Sequence, residues 1–296
     1  LPHKCNMPFL ISSFFDTDDC YTQGYQDNNI PVFRFPEKTA IALGCLYSYK
    51  KIKERTPLKE IILPEINPLA ADIIRQAKQK KQKALDEYEA KKLLSCYGLP
   101  VTKEELAATL KDALAAAAKI GYPVALKACS WEIMHKSGKG LIALGVENET
   151  SLKKEFENIQ KNTGKNVPVL VQEMLSGNRE FLAGMTRFAG FGPCVVFGLG
   201  GVFTEIYKDT TLRLAPFAET DAGEMFNEIR AKQLLDAFRG MPAVNKEKLS
   251  QVLQTIGNIS LLHPEIDEID LNPVMINGAE PVIADALIVL DDKKKG

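Results

Sequence analysis

The sequence has no apolar run that approaches the roughly 20 residues a helix needs to cross a bilayer, and it shows no secretory hydrophobic segment. Net charge is also nearly absent, because 37 basic residues balance 38 acidic ones and leave a formal charge of -1. Without a basic excess, the chain has no global field that would attract nucleic acid or a membrane surface. We therefore expect a soluble cytoplasmic protein that binds neither.

Paired cysteines are missing as well. The six cysteines are widely scattered and form no C-x-x-C pair. In a chain of this length, such spacing predicts reduced structural thiols rather than a disulfide framework or a zinc site. The cysteines are Cys5, Cys20, Cys45, Cys96, Cys129 and Cys194.

The length of 296 residues and the hydrophobic content of 45% suit two or more globular domains. The first residues read Leu-Pro-His with no initiator methionine, which predicts a piece of a longer polypeptide. Residues 1–55 contain short strands and a helix whose apolar positions, among them Leu43, Leu46 and Tyr47, suit packing on a sheet. They predict the end of a layered α/β domain.

A proline-punctuated linker and a helix rich in lysine and glutamine follow at residues 56–84, and we expect the charged helix face to be solvated. Two lobes are predicted after it. The first, residues 85–166, contains three helices and a strand–loop–strand unit. The second, residues 167–296, begins with the β-branched strand Val167–Met174 and ends in a hairpin with an Asn-Gly turn.

The strand–loop–strand unit of the first lobe carries groups suited to handling a phosphate. Its first strand contains Lys127, its loop contains His135, and its tip contains Ser137, Gly138 and Gly140. Glycines let backbone N–H groups approach phosphate oxygens, lysine supplies a mobile positive charge, and a neutral imidazole is a nucleophile near pH 7. A loop histidine beside lysines is also typical of a solvated surface, so both interpretations stay open on these residues alone.

Two further groups of polar residues lie in the second lobe. Gln172 and Glu173 end a strand that connects the lobes, where a purine can lie between sheets, and Glu180 opens the next strand. Asn272 and Asp285 lie on the two strands of the last hairpin, and their oxygens suit Mg²⁺. Ordinary surface polarity, or an Asn-Pro turn with a strand-end acid, explains these residues equally well on spacing alone.

The segment 191–209 is the most distinctive in the chain. It reads as a strand, a glycine turn formed by Gly198, Gly200 and Gly201, and a second strand. Glycine turns that join strands are usually structural, and a structural role is our interpretation of this one.

Together these elements resemble the ATP-grasp portion of the nucleoside-diphosphate-forming acyl-CoA synthetases, relatives of succinyl-CoA synthetase, over roughly residues 85–290. The order and spacing of the motifs carry the resemblance, and residues 8–55 resemble the end of the flavodoxin-like domain that precedes the grasp in fused members. The motifs are Leu-Lys127, Ser130-x-x-x-x-His135-Lys-Ser, Val-Gln-Glu-Met174, Glu180, Phe-Gly-Pro193, Phe-Gly-Leu-Gly-Gly201, Glu205-x-x-x-Asp209, Arg239-Gly240, Glu-Ile-Asp-Leu-Asn-Pro273 and Asp285.

The resemblance implies an α/β protein in which an ATP-grasp of two α+β lobes follows a partial flavodoxin-like domain. It also implies the chemistry: acyl-CoA, phosphate and ADP interconvert with free acid, CoA and ATP through an acyl phosphate and a phosphohistidine. The implied roles are phosphoryl acceptor for His135, phosphate binding for Lys127, Ser137, Gly138 and Gly140, an adenine cleft at Gln172, Glu173 and Met174, a nucleotide- or metal-facing position for Glu180, and Mg²⁺ binding for Asn272 and Asp285.

The sequence departs from the family in ways that matter for its function. It has no Rossmann-type glycine fingerprint, and neither His3 nor His263 lies in a context that suits the CoA-side histidine. We therefore expect it to need CoA-binding and histidine-bearing domains, on the same longer chain or on a partner subunit. Two alternatives remain: a ligand-sensing module fused to an acetyltransferase, without ligase activity, and an ATP-grasp ligase that works without phosphohistidine.

Overall fold

Two separate units are found in the computed structural model, which describes residues 7–15, 18–54, 62–133, 140–164, 166–201 and 207–291. Leu1–Lys59 form the first unit and Glu60–Gly296 form the second. Each unit is described by itself below.

The first unit is a small β-α-β element followed by a long helix. Its elements are β1 (Ile11–Ser12), α1 (Cys20–Asp27), β2 (Val32–Phe33) and α2 (Pro36–Glu54). The two strands pair in parallel, as a helical crossover between them allows. Helix α2 contacts both strands, but its apolar positions are not buried there: α2 has no buried residue, and Leu43, Leu46 and Tyr47 are exposed. Two strands of two residues offer too little surface to cover such a helix, and the flavodoxin-like assignment stays a prediction.

The second unit contains two sheets and the helices that cover them. In chain order, its elements are α3 (Pro68–Gln79), β3 (Ala84–Leu85), α4 (Glu87–Cys96), β4 (Glu104–Ala107), α5 (Leu110–Ile120), β5 (Val124–Ala128), β6 (Ile142–Val146), α6 (Glu149–Thr163), β7 (Val169–Glu173), β8 (Glu180–Phe188), β9 (Gly192–Leu199), β10 (Thr210–Leu214), α7 (Glu219–Glu228), a 3₁₀ helix (Arg230–Leu235), α8 (Lys246–Leu262), β11 (Ile266–Asn277), β12 (Glu280–Ile283) and β13 (Leu287–Leu290).

The larger sheet has seven strands in the order β10-β9-β8-β11-β13-β3, with β12 also paired to β11. Helix α8 covers this sheet and buries an apolar stripe that includes Leu249, Leu253 and Ile256 against it. Asn245 begins that helix by accepting a hydrogen bond from the backbone N–H of Lys248. We call this sheet and its helices, α3 and α4 included, the large lobe.

The smaller sheet has four antiparallel strands in the order β4-β7-β5-β6. Helices α5 and α6 pack on it, and both begin with a reciprocal capping box, at Thr109 with Asp112 and at Asn148 with Ser151. We call this sheet and its two helices the small lobe.

The lobe boundaries differ from those expected after residues 84 and 166. Strand β7 pairs with β4 on one side and β5 on the other, so it belongs to the small lobe. Strand β3 pairs with β13, and α4 buries Leu93 and Leu94 in the core of the large lobe. An apolar, β-branched strand such as β7 fits the middle of either sheet, so its pairing is decided by its neighbours in space.

Helix α3 also differs from the solvated linker helix that the charge pattern predicts. Asn67 caps its start, and Ala70, Ile74 and Ala77 form a buried stripe at helical spacing. The lysines and glutamines occupy the remaining faces of the helix, so the expected solvated face exists, but the helix as a whole is part of the large lobe.

Among the described residues, no helix is long and apolar enough to cross a membrane. Within the same ranges, Cys20, Cys45, Cys96, Cys129 and Cys194 form no disulfide bond.

We predict that replacing Ile74, which is 4% exposed, with alanine lowers the free energy of unfolding by about 2–5 kcal/mol, because the truncation leaves a cavity in the core of the large lobe. Leu69 lies on the same helix but is 62% exposed, so Leu69→Ala is the control and should change stability by only about 0.5 kcal/mol. Urea denaturation of both variants measures the difference. Equal losses would show that α3 is not anchored through Ile74.

Candidate functional site

Lys127 lies where the small lobe meets the large lobe. It is on β5, a strand whose five residues are all buried between β7 and β6. Its Nζ lies 2.6 Å from Glu87 Oε1 and 3.0 Å from the carbonyl oxygen of Ala284, both in the large lobe. Asp285 Oδ2 is 3.8 Å away, on a side chain that is 37% exposed. The ammonium is therefore buried on one side and faces a partly open acidic group on the other.

The carbonyl of Ala284 accepts three hydrogen bonds at once. The donors are Lys91 Nζ at 2.9 Å, Lys127 Nζ at 3.0 Å and Gln172 Nε2 at 3.0 Å. A carbonyl oxygen has two lone pairs, so three donors crowd it from α4, β5 and β7. The N–H of Ala284 donates to Pro273 O, so this peptide is held on both sides, directly before Asp285.

Lys91 is the centre of a buried polar cluster behind Lys127. Besides the carbonyl of Ala284, its Nζ reaches Glu87 Oε1 at 3.0 Å, Thr102 Oγ1 at 3.0 Å and Glu104 Oε2 at 2.8 Å. Burial lowers the pKa of Lys91, but the carboxylates of Glu87 and Glu104 outweigh this effect and raise the pKa above its usual value. Lys91 therefore keeps its charge inside the protein.

The predicted adenine-cleft residues have different surroundings. Gln172 is buried, and its Oε1 makes no hydrogen bond among the described residues, which leaves a buried acceptor facing the lobe junction. Glu173 accepts from the backbone N–H of Lys103 at 2.8 Å, so its carboxylate fixes the start of the small lobe. Met174 is exposed just after β7.

Glu180 and the glycine turn meet on the neighbouring strands. Glu180 begins β8, and a Cβ on Gly201 would lie 2.1 Å from its Oε2. The backbone N–H of Gly201 donates to Asn272 Oδ1 at 2.9 Å. Gly200 lies against the backbone of Phe181, where a Cβ would be 2.4 Å from a carbonyl carbon. Only glycine lets the turn come this close to the backbone of Phe181, and this close contact directs the N–H of Gly201 towards Asn272.

Asn272 and Asp285 face each other across two antiparallel segments. Val274 pairs with Ile283 on one side of them, and Asp270 pairs with Leu287 on the other, in the same register. That register places Asn272 opposite Asp285, as the hairpin pattern predicts. Within the described residues, no three His, Cys, Asp or Glu side chains form a metal site by themselves, so any cation here needs asparagine, water or phosphate oxygens as well.

Asp270 is a residue that the sequence interpretation missed, although it lies two positions before Asn272 on the same face of β11. Burial raises the pKa of its carboxyl to about 6, and the negative charges of Glu268 and Asp285 add to the effect. Because its negative charge is disfavoured without a cation nearby, and because Asn272 and Asp285 lie beside it, the carboxyl of Asp270 is suited to receive a cation. The available signal was the Asp-x-Asn spacing, which puts both side chains on one face of a strand.

Three of the predicted residues, His135, Ser137 and Gly138, lie outside the described residues. Gly140 is described, with φ of +65°, and its carbonyl accepts a hydrogen bond from Asn162 Nδ2 at 3.0 Å. Glu87, Lys91 and Glu104 were missed as well, because charged residues on a helix and an edge strand suggest solvent-facing positions.

Comparison with known proteins identifies what this arrangement is similar to. Residues 76–290 match the ATP-grasp domain family. The β subunit of the ADP-forming acetate–CoA ligase II of Pyrococcus furiosus is 40% identical over 230 residues, which are 75% of this chain and 98% of that subunit. The ADP-forming 4-hydroxybutyrate–CoA ligase of Nitrosopumilus maritimus is 33% identical over 275 residues, which are 90% of this chain and 39% of that longer protein.

A solved structure from Ca. Korarchaeum cryptofilum matches with a TM-score of 0.68 and 38% identity, over 75% of this chain and 100% of that one. It is described as a dinucleotide-forming acetyl-coenzyme A synthetase 1 with coenzyme A and Mg-AMPPCP, its phosphohistidine segment pointing towards the nucleotide-binding site. These matches confirm the ATP-grasp fold and the family that the sequence predicts.

We predict that Asp270 makes the metal-free chain less stable as the pH rises from about 4 to about 6. The folded-state pKa of about 6 lies above the ordinary 3.8, so the folded state retains a proton that the unfolded state releases in this window. Asp270→Asn removes that loss, so the variant should exceed the wild type in stability by on the order of 1–3 kcal/mol at pH 7, with no excess below pH 4.

Melting temperatures of both proteins, measured from pH 3.5 to 7.5 in the presence of a chelator, check this prediction. Asp267→Asn is the control, because Asp267 is exposed on the same strand. A constant difference between Asp270→Asn and the wild type at every pH would contradict the assignment.

Proposed function

Because this chain belongs to the ATP-grasp family of ADP-forming acid–CoA ligases, we propose that its second unit binds the magnesium complex of ATP or ADP and carries out the nucleotide half of acid–CoA ligation. The observation that carries the proposal is the position of Lys127. Its buried ammonium lies at the junction of the lobes, 3.8 Å from the partly exposed carboxylate of Asp285. A cation for phosphate and a ligand for a metal thus meet at one place.

The proposed reaction has four steps in the direction that makes ATP. Acyl-CoA and inorganic phosphate first give an acyl phosphate and free CoA. The phosphoryl group then passes to a histidine nitrogen of the CoA-side domain and the acid leaves. From that histidine it passes to the histidine of the grasp lobe, and the first histidine is released. Finally, a terminal phosphate oxygen of ADP attacks the phosphorus, the P–N bond breaks, and ATP forms. This chain is assigned the last step, which depends on positioning and on cations that spread the phosphate charge.

The nucleotide is proposed to lie between the two sheets. Lys127 contacts its phosphates, together with the tip formed by Ser137, Gly138 and Gly140. The Oε1 of Gln172 supports this placement, because a buried acceptor that has no partner among the described residues suits the amino group of adenine. Glu173 contributes by holding the backbone of this cleft, and Met174 provides apolar surface beside it.

Asn272 and Asp285 are the proposed Mg²⁺ ligands, with Glu180 and Asp270 as neighbouring acids. When bound, Mg²⁺ supplies positive charge to the phosphate oxygens. The donor set fits a hard cation, since it offers an amide oxygen and carboxylates on facing strands. The bond from Gly201 N–H fixes the rotamer of Asn272 and leaves one lone pair of Oδ1 for a ligand.

His135 is proposed as the phosphoryl acceptor within this chain. With a reference pKa near 6.5, most of a histidine population is neutral at pH 7 and its nitrogen can attack phosphorus without strong activation. The loop position that the sequence predicts for His135 also suits the role, because the group must collect phosphate from a distant CoA-side domain and deliver it to ADP. The phosphohistidine segment of the similar solved structure supports the assignment.

The CoA-binding and histidine-bearing domains that complete the reaction are proposed to come from the same longer chain or from a partner subunit. Both arrangements occur among the relatives, since one is a separate β subunit and the other is a protein of which this chain spans 39%.

We predict that Mg·ADP at about 100 times its Kd stabilises the chain by about 2.7 kcal/mol, which corresponds to a Tm increase of about 5–10 °C for a unit of this size. Lys127→Ala should lose most of this increase, measured against its own melting without nucleotide. Lys119→Ala is the control, since Lys119 is on the same lobe but its side chain is 75% exposed. No increase in the wild type at millimolar Mg·ADP would count against the proposed function.

We also predict that the chain, mixed with its CoA-side domains, acyl-CoA and labelled phosphate, gains an acid-labile and base-stable label on His135. His135→Ala should carry no such label, whereas His3→Ala should carry as much as the wild type. Mass spectrometry of the labelled peptide locates the phosphate. An unlabelled His135 under these conditions would exclude it as the acceptor and favour a ligase without phosphohistidine in this lobe.

A further inference from the structure

One carboxylate oxygen holds both buried lysines of the lobe junction. Glu87 Oε1 lies 3.0 Å from Lys91 Nζ and 2.6 Å from Lys127 Nζ. The side chains of Glu87 and Lys91 are each 1% exposed, and that of Lys127 is 8% exposed. The two lysines therefore share an anion that water does not reach.

The two lysines differ in what else they contact. Lys91 has three further acceptors, Thr102, Glu104 and the carbonyl of Ala284, all within 3.0 Å and all buried or partly buried protein groups. Among the described residues, the other contacts of Lys127 are the same carbonyl and Asp285, whose side chain is 37% exposed. Lys91 thus contacts only buried or partly buried groups, whereas Lys127 also faces a partly exposed carboxylate.

The shared carboxylate of Glu87 matters when Lys127 binds a phosphate. A phosphate that attracts the ammonium of Lys127 competes with Glu87 for it, and a buried carboxylate that loses a cation is strongly disfavoured. Lys91 remains 3.0 Å from the same oxygen and keeps it compensated. The movement of Lys127 then exchanges one anion for another without leaving a bare charge behind.

We propose that Lys91 is a positioning residue that allows Lys127 to exchange between Glu87 and a phosphate group of the nucleotide. This inference rests on the proposed function and adds a residue to it that touches no substrate. Lys91 also donates to the carbonyl of Ala284, so it holds the peptide that precedes Asp285 while Lys127 moves.

The proposal predicts a specific rescue. Lys91→Met removes the fixed cation, raises the cost of withdrawing Lys127 from Glu87, and should weaken Mg·ADP binding by about tenfold or more. Adding Glu87→Gln removes the competing anion, so the double variant should return to within about threefold of the wild type. Adenosine has no phosphate, so its affinity should stay the same in all three proteins.

Isothermal titration of the 296-residue chain with Mg·ADP and with adenosine measures these affinities. Melting curves report the stability of each variant separately, because Lys91→Met also takes a partner from Glu104. Lys92→Met, the adjacent exposed lysine of α4, is the control and should leave both affinities unchanged.

Two results would overturn the proposed exchange and leave Lys91 a purely structural residue. One is a double variant that binds Mg·ADP no better than Lys91→Met, and the other is an equal loss of affinity for adenosine and for Mg·ADP.

If Lys91→Met does not fold, Glu87→Gln alone tests the proposal. This variant should bind Mg·ADP at least as tightly as the wild type. A loss of affinity as large as that of Lys127→Ala would overturn the proposal. A wild-type chain that binds no Mg·ADP would instead refute the proposed function, and this inference with it.

Discussion

The carbonyl oxygen of Ala284 is the point on which the two lobes of the second unit depend. Donors from α4, β5 and β7 reach it within 3.0 Å, and two of those elements belong to the small lobe. The contact therefore joins the small sheet to the loop between β12 and β13 of the large lobe. The next residue along the chain is Asp285, so the same peptide that joins the lobes also determines where this carboxylate points.

The polar cluster around this carbonyl specifies an arrangement rather than adding net stability. Burial of the four charged side chains costs desolvation energy. Their mutual attraction offsets this cost only when every charge has a partner. The four residues are Glu87, Lys91, Glu104 and Lys127. Removing one partner of a buried ion pair leaves the other charge uncompensated and typically lowers stability by about 3–5 kcal/mol. Alternative packings of the lobes would break several of these contacts at once, so the charges favour a single relative position of Lys127 and Asp285.

The sequence named candidate residues for the site but not the network that holds them. Lys127 lies in an apolar strand, and Asn272 and Asp285 lie on the two strands of a hairpin, so local pattern made them candidates. The family resemblance was needed to prefer a functional role for them over ordinary polarity. Lys91 follows Glu87 by four residues on a helix, and that spacing is typical of an exposed ion pair. Burial of this pair is decided by Glu104 on β4 and by the loop before Asp285, which are 13 and 193 residues away from Lys91. No local pattern contains that information, and the same reason explains why the sequence did not show that β7 pairs with β4 and β5 or that α3 has a buried stripe.

The glycine turn shows that a structural role and a functional role need not be alternatives. From the sequence, Gly200 and Gly201 were interpreted as a turn between strands, and Gly200 does lie against the backbone of Phe181 too closely for any side chain. That contact, however, brings the N–H of Gly201 to 2.9 Å from Asn272 Oδ1 and brings Gly201 under the carboxylate of Glu180. A side chain at either glycine would push the turn away from β8, and Asn272 would lose the donor that fixes its amide. The turn thus acts on the proposed metal site through backbone geometry alone, and for that reason its role is not visible in the chemistry of its own side chains.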